Sequence, residues 1–501
     1  MNVFRTKSVE QSIADTQEPE HQLKKNLGAL DLMVFGVGVI IGAGIFVLTG
    51  TVAASNSGPA LAISFLIAGV ACGLAALCYA EFASTVPVAG SAYTFSYATF
   101  GELIAWIIGW DLALEFTIGS AALSTSFSGY LQTVLDGTPF EIPASIASAE
   151  DGVVNLPAIL IALAVMGVLI LGIKFSSRFN EVVVAIKLVV VLLVIVAGIG
   201  YINADNYTPF VPPSKAPDAA AGGFADLPLI TSIFGLEPSI FGFAGVVAGA
   251  AVVFFAFIGF DIVATTAEEA RNPQRDIPIG ILGSLAIVTV LYMAVSIVVT
   301  GMQNYTEIDP EDAAPLATAF DAVGVEWMGN LVAIGACIGL TVVVMILILG
   351  QTRVGFAMAR DGLLPRGLAK VHPRFGTPYV ITTIAGVAIA LIAGFVKLET
   401  LVELVNIGTL FAFVLVSVGV VILRRRRPDL PRSFKVPAAP LVATLAVLLC
   451  VYLMLNLTGG TWIRFLVWMA LGLVVYFVYG YRNSRVGKRT AAEKPGSTLE
   501  P

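Results

Sequence analysis

Apolar runs of about twenty residues, the length a helix needs to cross a bilayer core of about 30 Å, recur along the whole chain with short polar breaks between them. They fall at 30–50, 59–82, 103–131, 154–173, 179–202, 243–266, 279–300, 331–351, 379–396, 402–423, 439–457 and 462–481. The pattern predicts an all-α polytopic membrane protein of twelve transmembrane helices with both termini on one side. Two runs carry helix-breaking interiors: GVGVIIGAGIF at 36–46 in the first, and FFAFIGFD at 254–261 in the sixth. A helix interrupted in hydrocarbon leaves backbone groups that lipid cannot satisfy, so a break persists only where it lines a cavity or binds something. Breaks at matching places in two halves point to a transporter site. They suggest that 30–202 and 243–423 are five-helix repeats of opposite orientation, joined by an extracellular loop at 203–242. The remainder divides into a tail at 1–29, a basic loop at 424–438, two further helices at 439–481 and a tail at 482–501.

Composition agrees with that class. The 501 residues are 57% hydrophobic and only 12% charged, with mean hydropathy +0.90, whereas soluble domains are about a quarter charged. With these spans, 24 of the 28 basic residues fall on the side of the termini. Lys215, Lys397 and Arg464 fall opposite, and Lys187 lies within a span. Positive charge collects on cytoplasmic loops, so both termini are expected in the cytoplasm of a protein of the cell membrane. Clusters such as 424–427 and 482–489 then read as topology signals and lipid-headgroup contacts rather than nucleic-acid surfaces. The first 26 residues are too polar for a signal peptide. Cys72, Cys78, Cys337 and Cys450 all sit in apolar segments without CxxC spacing and read as small core residues. His21 and His372 lie outside the spans, and the chain has no HExxH, GxSxG or GxxxxGK[ST] motif. An enzyme, an ATP-driven pump and a cofactor or metal site are therefore not expected.

The two breaks have complementary chemistry. Peptide N–H groups around Gly42, Ala43 and Gly44 lie at the positive end of the half-helix that follows, where small side chains admit a carboxylate. The carbonyls of Phe255, Ala256 and Ile258 can accept from an ammonium, with Gly259 supplying the unwound turn. Together the breaks would clamp an α-amino carboxylate. Ile41 and Ile45 flank the first break; Phe257 and Phe260 flank the second, either as packing rings or, for Phe260, as a lid. Gly38 with Gly42 and Gly245 with Gly249 also form GxxxG pairs, so helix packing is an alternative use of these glycines.

Ionisable residues inside spans need a partner or a function. Lys187, in EVVVAIKLVVVLLV, lies about 12 Å into its span. Its ammonium could bridge unwound carbonyls of the first helix and polar groups of the eighth, such as Thr341, in the place of a coupling sodium ion or as a carrier of coupling protons. Asp111 and Glu115 share one helix face. Glu115 could line the pocket, attract a cationic side chain or carry a proton, and Asp111 could hydrogen-bond a broken helix. Asp261 either caps the helix after the second break or meets the substrate. Glu268 and Glu269 could pair with Arg271 or Arg275 as a gate, or form a solvated cluster.

GVIIGAGIFVLTG (38–50), PVAGSAYTFSY (87–97), GELIAWIIGWDLALEF (101–116), FFAFIGFD (254–261), EEARNPQRDIPIGI (268–281) and MARDGLLP (358–365) follow one another in order. On these stretches the chain resembles amino acid permeases of the amino acid–polyamine–organocation superfamily, particularly bacterial relatives of the cationic amino acid transporters. The resemblance implies the LeuT-type fold of five plus five inverted helices with two extra. It implies a substrate carboxylate at Gly42, Ala43, Gly44 and Ile45, an ammonium at the carbonyls of Phe255, Ala256 and Ile258, and proton symport through Lys187. Relatives often carry a hydroxyl residue where this chain has Ala43, so only backbone contacts are expected there. The implied partners are an amino acid, a proton and membrane lipids, with no cofactor. An exchanger, a sodium-coupled carrier or a channel are the competing readings.

Overall fold

The computed structural model describes residues 5, 27–85, 91–149, 152–172, 177–216, 223–235, 237, 239–266 and 270–492. The helices that build the bundle and its breaks are, in order, α1 (Ala29–Ile40), α2 (Ala43–Phe46), α3 (Leu48–Val52), α4 (Leu61–Thr85), α5 (Glu102–Leu135), α6 (Leu156–Ile170), α7 (Ser177–Gly198), α8 (Gly242–Val253), α9 (Phe260–Thr265), α10 (Pro273–Met302), α11 (Pro315–Ala322), α12 (Glu326–Arg360), α13 (Tyr379–Phe395), α14 (Leu398–Arg426), α15 (Ala439–Leu455) and α16 (Gly459–Val475), and other short helices such as Ser91–Thr99 and Leu229–Phe234 lie between them. Among the described residues, extended pairing is confined to isolated bridges such as Leu27 with Ala270.

The protein is an all-α, multi-pass membrane protein. Eight helical stretches among the described residues are long and apolar enough to cross a bilayer, and four shorter apolar helices accompany them: α1, α6, α13 and α15. The first run is shorter than its composition suggests because α1 stops after 12 residues, about 18 Å of rise. Its remainder, α2 and α3, continues through a π-turn at Ala53–Ser57 towards α4. The second break is equally distinct. α8 tightens into a 3-10 turn at Phe254–Phe257, Ile258 is extended, and Gly259 takes φ +116° before α9 begins. That left-handed backbone is open to glycine at little cost.

Packing centres on α5 and α10. α5 lies along α12 and α14, while α10 lies along α4 and α1. The outer face of the bundle keeps large apolar side chains exposed, among them Val189, Val290, Leu391, Leu448 and Val467, as a lipid-facing surface requires. Inside, small residues let backbones approach. A Cβ added to Gly38 would lie 2.2 Å from a Val184 methyl, and one on Gly249 would lie 2.2 Å from Ser57 Oγ. The glycines of the GxxxG pairs therefore serve packing as well as the breaks.

Residues near the two ends of the chain meet on one face of the bundle. Arg271 N–H donates to Leu27 O at 2.8 Å, and Arg485 N–H donates to Asp361 O at 3.0 Å. On the same face Arg424 forks onto Glu81 at 2.7 and 2.5 Å, and the Val436 N–H also reaches Glu81. Glu268 and Glu269 lie outside the described residues.

Candidate functional site

The two breaks face each other at the centre of the bundle. A Cβ placed on Gly44 would come 2.1 Å from Ala256 Cα, so the restart of the first helix rests directly on the unwound turn of the second. Between them lies a small cavity of about 20 Å³ bounded by Val39, Ile40, Gly42, Ala43, Gly44, Glu115, Gly119, Leu123, Phe255, Ile258, Val343, Leu347 and Val405. That volume suits about one water molecule; the site is closed in this conformation.

The interrupted backbone explains the polar groups around it. A continuous helix would satisfy the carbonyls of Gly38, Ile40 and Ile41 with N–H groups four residues on, but Gly42 is extended and the next bond across the restart is Phe46 N–H to Gly42 O, at 3.5 Å. Lys187 supplies the missing donor. Its Nζ lies 2.7 Å from Gly38 O and 3.1 Å from Ile41 O, its stem lies against Gly339 of α12, and it is 1% exposed. Tyr292 of α10 serves both breaks, its hydroxyl lying 2.9 Å from Ile40 O and 2.9 Å from Ala256 O. Asn406 of α14 donates to Ala251 O at 2.9 Å and Val252 O at 3.1 Å, just before the second break. The N–H groups of Ala43, Gly44 and Ile45, in the first turn of α2, have no intrahelical acceptor and sit at its positive end.

The anticipated residues divide into groups. Gly42, Ala43, Gly44, Phe255, Ile258 and Glu115 bound the cavity together. Ile41 and Ile45 are buried beside it, Ile41 through its bond to Lys187. Ala256 is the floor beneath Gly44, and its carbonyl faces Tyr292. Phe257 packs edge-on to Phe65 and Tyr292, and Phe260 packs on Tyr79 and Phe413. Both rings hold the bundle together, and the ring at the cavity is Phe255. Thr341 donates to its own helix at Cys337 O, 2.8 Å away. Asp261 lies in the first turn of α9, its carboxylate beside the backbone N–H groups of Gly259 and Ile262, and Gly259 holds the cap position.

Asp111, Glu115 and Asp261 are fully buried, and the Asp111 carboxylate oxygens have no hydrogen-bond partner among the described residues. Asp111 abuts Gly408, where an added Cβ would stand 2.9 Å from its Oδ1. The neighbouring Thr409 hydroxyl is donated to Val405 O. Carboxylates so placed are costly unless they carry protons or meet a cation. Among the described residues no group of three His, Cys, Asp or Glu side chains is placed to hold a metal ion.

Tyr292 and Asn406 were not anticipated. Each is a hydroxyl or amide side chain deep in an otherwise apolar stretch, and that polarity is the signal that could have found them.

Away from the termini lies a vestibule of about 500 Å³, lined in part by Thr51, Asn56, Gln132, Glu311, Asp312 and Glu403.

Comparison with known proteins places this geometry. The sequence profile of a family described as "Amino acid permease" matches residues 27–480. The chain is 46% identical over 493 residues to a branched-chain amino acid permease of Bacillus subtilis, covering 97% of this chain and 99% of that protein. It is 44% identical over 491 residues to a methylthioribose transporter of the same organism, covering 97% and 100%. It is 42% identical over 441 residues to the vacuolar cationic amino acid transporter 2 of Arabidopsis thaliana, covering 87% and 65%.

Proposed function

Because the chain belongs to the amino acid permease family of the amino acid–polyamine–organocation superfamily, we propose that it is a secondary-active carrier that brings an α-amino acid into the cell in symport with protons. In this reading twelve spans form two inverted five-helix repeats, 30–202 and 243–423, with two further helices, and both termini face the cytoplasm of the cell membrane. The observation that carries it is the meeting of two interrupted helices over one small cavity, with free N–H groups on one side and carbonyls on the other.

The carboxylate enters against the N–H groups of Gly42, Ala43, Gly44 and Ile45, where the α2 dipole favours negative charge. The ammonium lies on the carbonyls of Phe255, Ala256 and Ile258. Phe255 and Ile258 bound the space left for the side chain, and Glu115 reads it. Lys187 stands where a sodium ion would otherwise bridge unwound carbonyls, which favours protons over sodium as the coupling ion. Releasing its proton leaves two N–H donors but removes the positive charge that strengthens the bonds to the Gly38 and Ile41 carbonyls, and so weakens the tie between α1 and α7. That links protonation to movement of the first helix.

The relative named as a methylthioribose transporter is nearly as similar as the permeases, and methylthioribose has neither ammonium nor carboxylate. The test must separate the two. Purified protein in proteoliposomes should take up a subset of the twenty amino acids saturably under an inward proton gradient, and a protonophore should abolish the uptake. Counterflow without response to a pH gradient would make it an exchanger, a requirement for sodium would remove the proton, and uptake of methylthioribose alone would remove the amino acid.

A further inference from the structure

One hydroxyl lies between both breaks. Tyr292 Oη is 2.9 Å from Ile40 O and 2.9 Å from Ala256 O, but a phenol carries a single proton. It can satisfy one carbonyl at a time, and the other is left facing an oxygen in a buried site, an arrangement that costs free energy. The ring cannot move to resolve this. It is fully buried, with Phe65 and Phe257 each 5.4 Å from its centroid. Only the O–H bond is free to turn.

We propose that Tyr292 is a positioning residue that holds the substrate's place: its proton sits on Ala256 O in the empty site and turns to Ile40 O when a substrate ammonium takes Ala256 O. The inference rests on the amino acid reading above. An ammonium has three donors and no acceptor, so it satisfies Ala256 O outright and ends the competition for the phenol's proton. The released O–H then binds the last carbonyl of α1, Ile40 O, immediately before the N–H groups that receive the carboxylate. Occupancy of the ammonium end is thus transmitted to the first helix across a rigid ring. A ligand without an ammonium leaves the proton shared and gives no such signal. A tyrosine that served packing alone would not distinguish the two kinds of ligand.

The test compares an amino acid that binds the wild type with its des-amino carboxylic acid, on the full-length protein, by titration calorimetry and by proteoliposome uptake. In Tyr292→Phe nothing competes for Ala256 O. The amino acid should bind only slightly more tightly, by about twofold or less, because on binding the wild type gives up the bond to Ala256 O and regains one to Ile40 O, while the des-amino acid is unchanged. A gain of about threefold to tenfold, the change expected for one whole buried hydrogen bond, would mean that the proton never turns and would overturn the proposal. Maximal uptake should fall because Ile40 O loses its donor. Weaker amino acid binding, or equal changes for both ligands, would overturn the proposal and leave packing as the role. Should Tyr292→Phe not fold, 3-fluorotyrosine at position 292 keeps the shape and strengthens the donor. Amino acid binding should then weaken with the des-amino acid unaffected, and the opposite order overturns the proposal. A wild type that binds both ligands equally defeats the amino acid reading itself, a result distinguishable from the others because it needs no variant.

Discussion

At residue scale the chemistry is set by which donor meets each carbonyl freed by a break. Lys187 meets two, and in a medium without water each is costly to abandon, at about 1–3 kcal/mol. Lys187→Met should therefore lower thermal stability and remove the response of uptake to a proton gradient, by about tenfold or more, while counterflow of substrate persists. Proteoliposome uptake with and without an imposed gradient measures both. Undiminished gradient-driven uptake would take the coupling role away from this residue. Lys187→Arg is the informative companion. The planar guanidinium does not release a proton and is wider than an ammonium, so it should keep the carbonyls satisfied better than Met yet still lose the coupling.

At element scale, the second break persists because another helix stabilises it. α14 provides this through Asn406, whose amide donates to the carbonyls of Ala251 and Val252, where the α-helical bonds of α8 give way to the 3-10 turn. Asn406→Leu has nearly the same volume but no donor, and it should cost about 2–4 kcal/mol for the two carbonyls together, read as a fall in melting temperature. If α8 instead straightened to satisfy its own carbonyls, substrate binding would disappear with little loss of stability. The breaks themselves were legible in the sequence, because glycine clusters inside apolar runs conflict with the requirement for satisfied backbone in lipid. Lys187 was legible for the same reason, and its carbonyl partners on the first helix were the right ones. Which acceptor the Thr341 hydroxyl takes is not written in the sequence; a threonine in a helix interior donates most cheaply to its own helix four residues back, as Thr341 does to Cys337. Position after a break says nothing about which way a ring turns, and in this conformation Tyr79 and Phe413 hold Phe260 in the bundle. The supporting residues Tyr292 and Asn406 lie far from either break in sequence, so only the packing of α10 and α14 reveals them.

At the scale of the molecule the two faces differ. On the face of the termini, buried carboxylates tie helices together: Glu81 with Arg424, and Glu102 with Arg5 at 3.0 Å, Tyr97 and Tyr476 each at 2.9 Å, and the Ser484 hydroxyl. The opposite face holds the vestibule. Its wall includes Asp312, whose carboxyl burial pushes above the ordinary range against the opposing pull of the Thr318 hydroxyl and Ala314 N–H. A raised carboxyl favours the protonated folded form, so its contribution to stability is present at acid pH and lost as pH rises through the raised value. Asp312→Asn, which mimics the neutral acid, should match the wild type near pH 4 and become more stable than it towards pH 8, as followed by melting temperature against pH. A constant difference would mean that Asp312 does not titrate in this range. The asymmetry of the faces also distinguishes a carrier from a pore. Thr51 lines the vestibule, whereas Ser433 is exposed on the tied face. In a Cys337→Ala background, which removes the partly exposed cysteine and leaves three that are buried, a membrane-impermeant maleimide applied to intact cells should label Thr51→Cys and spare Ser433→Cys. Lysed cells should show both labelled. If the protein is the carrier proposed above, transported substrate should change the rate at Thr51→Cys, because an alternating cycle would close the vestibule while opening the opposite face. Labelling of Ser433→Cys in intact cells would invert the orientation, and a Thr51→Cys rate indifferent to substrate would mean that the vestibule does not close, leaving a channel as the better description.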